Sequence, residues 1–429
     1  MKTATVKIWD QPVGAVLWDD SSQSGTFEFE PKFVKNGLDL APFMMPIAEL
    51  KRGDTLFEFK QLNKETFYGL PGLLADALPD KYGTTLLNAW LASQGRSPGS
   101  MNPVERLCYM GTRGMGALEF EPNKNHESAV KVEIKSLVEM AQQILGQRKS
   151  FTVNIKPNVK KGLEDIIRVG SSAGGARAKA IIAYNPKTKE VRSGQVAAPK
   201  GFSHWLIKFD GVNNAALGDP AGYGRIELAY YHMALDCGIE ISESRLLEEN
   251  DRAHFMTRRF DRVNENEKLH VQSLCAMRHF DYSMVGAYAY EQAFQTIRSL
   301  KLSVTATEQL YKRMVFNVIA RNLDDHTKNI SFIMDKTGTW SLAPAFDLTY
   351  SYNPDSAWVR QHNLSVNGKT KDFTKYDLLK VGKEMNVKHA KTILEKVLAV
   401  VKKWSVYAEQ TKVKDIQINK IGKTHLTNL

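Results

Sequence analysis

Apolar residues along this chain fall into two spacings, and the change between them divides the sequence. From Thr3 to Trp18, apolar and polar positions alternate as in a half-buried strand, which predicts a strand pair turned at Gln11-Pro12-Val13-Gly14. Residues up to about Pro122 continue as a mixed α/β unit, and Asn123-Lys124-Asn125-His126-Glu127 forms a polar joint. Val132 to Leu145 has helical periodicity, which Lys156-Pro157-Asn158-Val159-Lys160-Lys161-Gly162 breaks. His204 to Phe209 alternates as a strand carrying Lys208, and Ile226 to Leu235 is an amphipathic helix that Gly238 can stop. In the stretch Tyr311 to Asn322, Met314, Val315, Val318 and Ile319 line one face of a buried helix. Ile330 to Ile333 and Trp340 to Leu342 then flank Asp335-Lys336-Thr337-Gly338 as a hairpin. Beyond Tyr290 the chain is mostly helical, apart from that hairpin and a loop near Pro354, and no internal repeat is present. The pattern predicts an α+β fold with a β-containing N-terminal lobe and a mainly helical C-terminal lobe, divided as residues 1–125, 126–257 and 258–429.

Length and composition agree. A chain of 429 residues is too long for one ordinary core, and at 43% hydrophobic it fills several without staples. Cys108, Cys237 and Cys275 are too widely spaced for a disulfide framework or a zinc set, and read as buried or inert thiols in a reducing cytosol. Residues 1–10 lack the apolar core of a signal peptide and no later run approaches a membrane span, so a soluble, cytoplasmic protein is expected. The net charge of +11 is uneven: Gly368 to the end holds fourteen lysines against six acids. Such a surplus suits a phosphate backbone or an acidic partner, and equally a solvated lysine-rich face. Lysine without arginine argues against reading of base edges.

The candidate chemistry centres on Asp324, Asn329 and Asp347. They lie in Asp324-Asp325-His326-Thr327-Lys328-Asn329 and, beyond the hairpin, Ala345-Phe346-Asp347. Phosphoryl transfer depends on positioning and charge neutralisation, so it needs a carboxylate facing the acceptor hydroxyl and oxygen ligands that hold Mg²⁺ against the phosphates. Asp324 fits the first role; Asn329 and Asp347, at the two ends of one hairpin, fit the second. Upstream, Gly170-Ser171-Ser172-Ala173-Gly174-Gly175-Ala176-Arg177-Ala178-Lys179 offers small residues whose backbone N–H groups can approach phosphates. It is not a Walker A motif, since no Gly-Lys-Ser or Gly-Lys-Thr closes it. Lys208, near the end of its strand, sits where a kinase lysine pairs the α/β-phosphates. Glu227 is either its helix partner or a surface glutamate near a helix start. The ordered set points to an ATP-dependent kinase with a protein-kinase-like two-lobe fold.

Taken together, these motifs resemble the HipA family, serine/threonine-protein kinase toxins of bacterial toxin–antitoxin modules. The resemblance spans nearly the whole chain: Phe67 to Asp80 and Met110 to Phe120 resemble the family's N-terminal signatures, Phe255 to Arg262 its segment joining the lobes, and Asp324 to Asn329 its catalytic loop. It implies that Asp324 is the catalytic base, that Asn329 and Asp347 hold Mg²⁺, and that Lys208 contacts the ATP phosphates. His326 then lies near the nucleotide, and Met256, Arg258 and Phe260 border the adenine pocket, largely through backbone. Alignment on Gly175, Ala176 and Lys179 makes Ser172, with the adjacent Ser171 as the alternative, the serine whose autophosphorylation expels the phosphate loop and switches the enzyme off. Two departures stand out: Asp325, where the family commonly has glycine, puts a second negative charge beside Asp324, and Arg177-Ala178 replaces a more usual pair. The resemblance also implies a small DNA-binding antitoxin (HipB-like) as partner and operator DNA within that complex, with Lys369 and Lys371 as candidate phosphate contacts. Known relatives phosphorylate aminoacyl-tRNA synthetases and so inhibit translation and induce dormancy; nothing in residues 348–367, the expected substrate-facing loop, selects a substrate. Two other classes remain open, a catalytically weak co-repressor and a small-molecule kinase.

Overall fold

In the computed structural model, which describes residues 1–50, 55–123, 131–146, 166, 177–212, 222–249, 251–264 and 266–429, three large apolar cores follow one another along the chain. The first lies under the sheet β4-β3-β2-β1-β5, formed by β1 (Thr3–Ile8), β2 (Gln11–Asp19), β3 (Ser24–Phe29), β4 (Leu56–Phe57) and β5 (Leu118–Glu121). Ala4, Val6 and Ile8 of β1 and Val16 and Trp18 of β2 point into it, as the alternation predicts. The reversal between β1 and β2 falls at Trp9 and Asp10, however, and Gln11 to Gly14 already belong to β2. Both turn residues take positive φ, 46° and 64°, the geometry whose twist suits a two-residue hairpin loop. Gly14 serves a different purpose: a Cβ there would lie 2.1 Å from the Glu28 carbonyl oxygen on β3.

The second sheet, β7-β6-β8-β10-β9, is antiparallel throughout. Its strands are β6 (Lys179–Tyr184), β7 (Val191–Ser193), β8 (Ser203–Lys208), β9 (Ser244–Glu249) and β10 (Arg252–Arg258). Ala180, Ile182, Trp205, Ile207 and Met256 enter a core shared with the helices Lys81–Ser93 and Ile134–Gly146. Side chains alternate across a strand, so Lys208 and its register partners Lys179 and Phe255 face the other way. The helix Tyr223–Asp236 packs against β9 and β10, and Gly238, at φ 73°, follows its end.

The largest core gathers that helix with Tyr290–Ser299, Val304–Ile319, Lys375–Glu384, Ala390–Val401, Trp404–Gln410 and Asp415–Gly422. Ser303 caps Val304–Ile319 by accepting from the Ala306 amide, and the predicted face Met314, Val315, Val318 and Ile319 is fully buried. The short pair β11 (Arg262–Val263) and β12 (Glu267–Lys268) is bonded to the N-terminal region, where the Lys268 carbonyl accepts from the Trp9 indole N–H, and the sheet β13 (His270–Ser273), β15 (Ser331–Met334) and β16 (Trp340–Leu342) gives Met334 to the first core and Phe332 to this body. The parallel pair β14 (Tyr288–Ala289) and β17 (Leu364–Ser365) completes it. All three cysteines are buried, and burial pushes the Cys237 and Cys275 thiols up to about 12, as suits inert side chains. Among the described residues no helix is long and apolar enough to cross a membrane.

A buried charge cluster ties the N-terminal region to the lobe junction. Asp261 accepts from Arg259 Nη2 at 2.6 Å, Arg262 Nη1 at 2.7 Å and the Gly116 amide at 2.7 Å, while both arginines also donate to the Gly114 carbonyl. Burial alone would raise this carboxyl; the two guanidiniums and the Gly116 amide hold it well below the usual carboxylate range. Asp261→Asn therefore strands two buried cations, and a loss of about 3–5 kcal/mol is expected in denaturant unfolding at neutral pH. Because the folded-state value is depressed, the carboxylate's contribution is complete above about pH 4, the unfolded value, and fades as pH falls below it. The gap between wild type and variant should narrow accordingly.

Candidate active site

The loop that carries Asp324 begins where the helix Val304–Ile319 ends. Arg321 takes φ 59°, and the Asn322 amide returns to the Asn317 carbonyl at 2.9 Å. Asn317 and Asn322 are buried and bonded to one another through Nδ2 of Asn322, and Asn317 Nδ2 donates to the Tyr290 hydroxyl oxygen. Tyr290 in turn donates to Asp325 Oδ2 at 2.9 Å, His362 Nδ1 donates to the same oxygen at 2.7 Å, and the Asn363 amide donates to Oδ1 at 2.8 Å. Asp325 is thus turned inward and fully bonded. Its carboxylate, bonded at both oxygens, anchors the loop, a role its place in the motif did not announce.

The neighbouring Asp324 points outward. Its side chain is 36% exposed, its Oδ1 accepts from the Trp358 indole N–H at 2.6 Å, and His326 Nε2 stands 3.6 Å from the same oxygen. Asn329 Nδ2 donates to the Asp324 carbonyl at 2.7 Å, which locks the turn and leaves the amide oxygen Oδ1 as the atom available to a cation. Asn329 and Asp347 line one cavity together with Phe346. His326 is half-buried between the rings of Tyr282 and Trp358, and its Nδ1 is buried without a protein hydrogen-bond partner.

Lys208 comes to this loop from the sheet. Its ammonium pairs with Asp347 at 2.5 Å and with Glu227 of the helix Tyr223–Asp236. Glu227 is only 3% exposed, which selects the helix-partner alternative over a surface position. Burial works against every charge in this trio. The two carboxylates outweigh it at Lys208, which is raised and stays protonated; Lys208 outweighs it at Asp347, whose carboxyl falls to about 2; and at Glu227, the most deeply placed, burial prevails and raises it. The arrangement therefore pairs an ionised Asp347 with a protonated lysine and lines one cavity with Asp347 and Asn329, whose loop also carries the outward-facing Asp324. Among the described residues no three His, Cys, Asp or Glu side chains form a self-sufficient metal cluster. A donor set of one carboxylate and one amide oxygen fits Mg²⁺, which takes few protein ligands and completes its shell from phosphate oxygens and water.

The other candidates are placed as follows. Lys179 lies opposite Lys208 on β6, but its ammonium is buried in a 3.0 Å ion pair with Asp80 rather than presented to an open nucleotide face. Its positive field still helps to hold Asp347 ionised. The Met256 side chain is in the core, Arg258 is exposed beside Glu243, and Phe260 packs on Phe346 with ring centroids 5.6 Å apart, next to Asp347. Arg177 lies over the Tyr223 ring, its guanidinium carbon 3.7 Å from the centroid. Ser172, Ala173, Gly174, Gly175 and Ala176 lie outside the described residues. Lys369 is committed to Asp377 at 2.8 Å, beside the start of the helix Lys375–Glu384, whereas Lys371 is exposed. Sequence reasoning did not find Trp358, His362, Tyr282 or Asp80. Each is joined to the site by a contact between positions far apart in sequence, and no local pattern marks such a contact.

Comparison with known proteins bears on family and fold. A family model described as HipA-like C-terminal domain matches residues 171–404, and one described as HipA N-terminal domain matches residues 4–121. No curated protein matches the chain. Among solved structures, the chain is similar to HipA of Shewanella oneidensis MR-1, determined as a toxin–antitoxin complex with HipB and its operator DNA. The TM-score is 0.65 at 16% identity, covering 98% of this chain and 94% of that one, which shows a shared fold. The proinflammatory kinase CtkA of Helicobacter pylori gives a TM-score of 0.34 at 12% identity over 58% of this chain and 92% of its own, a likeness too slight to bear on the fold. With family models covering both its N-terminal region and more than half of its length, the chain belongs to the HipA family.

Proposed function

We propose that this protein is an ATP-dependent serine/threonine-protein kinase, the toxin of a toxin–antitoxin module. The observation that carries the reading is the Glu227–Lys208–Asp347 trio, whose Asp347 shares a cavity with Asn329 of the loop that carries an outward-facing Asp324. In this reading Lys208 would meet the phosphate oxygens of ATP, and Asp347 and Asn329 Oδ1 would hold a magnesium ion, which would neutralise phosphate charge. Phe260 and the backbone near Met256 and Arg258 border the adenine, and His326 faces the phosphates. Asp324 orients the acceptor hydroxyl and takes its proton. Residues 1–125 form the family's N-terminal subdomain, 126–257 the nucleotide-binding part and 258–429 the catalytic lobe. A HipB-like antitoxin is the expected partner, and operator DNA the expected ligand of that complex, with Lys371 freer than Lys369 to meet phosphate. An aminoacyl-tRNA synthetase is the proposed target, and the phosphoproteome of cells expressing wild type against an Asp324→Gln variant tests it: a synthetase phosphopeptide seen only with wild type supports the assignment, and none contradicts it.

Regulation is proposed to rest on Ser172. A phosphate there adds about −1.5 to −2 charges to a loop that must cradle the phosphates of ATP, so a phosphorylated loop and bound ATP exclude each other. Ser172→Asp should bind ATP at least about tenfold more weakly than wild type and be non-toxic. Peptide mapping after incubation with ATP, with a binding isotherm for the variant, checks this; phosphate on another residue, or unchanged affinity, contradicts it.

A further inference from the structure

The contact between Trp358 and Asp324 spans 34 positions and joins the catalytic loop to the stretch after Asp347. That stretch has no regular structure, yet around Trp358 it is closely tied. The Asn353 amide donates to the Val359 carbonyl at 3.1 Å, and the Arg360 amide to the Ser356 carbonyl at 3.1 Å. The Trp358 amide donates to the Ser356 hydroxyl at 3.2 Å. Asn363 then joins the two segments: its Nδ2 donates to the Leu323 carbonyl at 2.8 Å and to the Trp358 carbonyl at 3.2 Å, while its amide donates to Asp325. Trp358 is therefore mounted on the same buried scaffold as Asp324. Its ring meets Tyr282 edge-on at 6.1 Å and His326 at 5.9 Å, and Tyr282 and His326 meet each other at 5.4 Å. Asp324 Oδ2 has no hydrogen-bond partner among the described residues.

We propose that Trp358 is a positioning residue for phosphoryl transfer: its N–H holds Oδ1 of Asp324 so that Oδ2 faces the acceptor hydroxyl, and its ring forms an aromatic wall with Tyr282 and His326 against which the acceptor side chain rests. The inference rests on the kinase reading of Asp324. An indole N–H donating to a carboxylate is a charge-assisted bond, which fixes the plane of the carboxylate while leaving one oxygen free. Small misplacements of a catalytic group cost up to about 100-fold in rate, so the loss is expected in turnover rather than in nucleotide binding. The wall suits a serine- or threonine-bearing segment, whose short side chain reaches the base while its backbone and neighbours lie along the rings.

The test measures transfer from γ-labelled Mg-ATP to dephosphorylated casein by wild type, Asp324→Asn, Trp358→Phe and Trp358→Leu. Trp358→Phe keeps a ring but loses the N–H; kcat should fall about tenfold with KM for ATP and for casein unchanged. Trp358→Leu loses both, so kcat should fall similarly and KM for casein rise, and it serves as the working variant should Trp358→Phe fail to fold. Wild-type kcat in either variant overturns the proposal, as does a fall in kcat matched by equal losses of ATP affinity and thermal stability, which marks a merely structural tryptophan. An active wild type with an inactive Asp324→Asn and an unaffected Trp358→Phe removes this inference alone, whereas a wild type that phosphorylates neither casein nor itself removes the kinase reading and the inference with it; should casein accept none, the variants are compared on the protein's own phosphorylation.

Discussion

Asp324→Asn is expected to lower phosphate transfer by about 10³-fold or more while leaving Mg-ATP affinity within about twofold of wild type. General-base contributions typically run at about 10²–10⁴-fold, and an interaction made chiefly in the transition state is lost from kcat rather than from ground-state binding. The structure favours a clean result. Asp324 is outward-facing and, among the described residues, its carboxylate accepts only the Trp358 N–H, which an asparagine carbonyl oxygen can also accept, while the loop itself is fixed by Asp325, Asn363 and the Asn329 amide. Rate measurements paired with a nucleotide-binding isotherm check it, and a variant that loses both turnover and binding would place Asp324 in the nucleotide site instead.

Asp347→Asn is expected to act on the other side of that division. It removes the carboxylate proposed to hold magnesium, and because changes even one sphere further out cost about 10–100-fold in metal affinity, Mg²⁺-dependent ATP binding should weaken by about 100-fold or more. Lys208 keeps Glu227 as a counter-charge, so the variant should still fold. The carboxyl of Asp347, held at about 2, remains ionised through the neutral range, so in wild type its titration does not limit magnesium binding above about pH 4. Its own contribution to stability is present above that pH and fades as pH falls toward 2. Titration of ATP with and without Mg²⁺ is the measurement: the wild type should show a strong magnesium dependence and the variant little.

Much of this site could be read from sequence because it is local. Asp324, Asn329 and Asp347 lie within one loop and one hairpin, whose strands alternate and whose turn at Gly338 needs a positive φ of 85°. The helix before them was visible because four apolar residues fall on one face. The lobes were visible for the same reason, since a half-buried strand and a buried helix differ in period. The pairing of Lys208 with Glu227 stayed open because a glutamate near the start of a helix is as easily solvated as buried, and only the packing of that helix on β9 and β10 decides. The hairpin at Trp9 and Asp10 was misplaced because Pro12 and Gly14 carry turn chemistry, whereas Gly14 is there to admit β3. Asp325 looked like added charge beside the base. Three donors from Tyr290, His362 and Asn363 make it an anchor, and they come from sequence positions as far as 38 residues away. Lys179 was read with its loop, but Asp80, from the N-terminal region, claims its ammonium.

The central claim is that Asp324 serves a phosphoryl-transfer site, and mass spectrometry of the purified protein after incubation with Mg-ATP tests it most directly. Wild type should gain a phosphate, mapped to the segment that contains Ser172, and Asp324→Asn should gain none. An unmodified wild-type protein that also leaves an added acceptor protein unphosphorylated, or equal modification of both forms, would contradict the account.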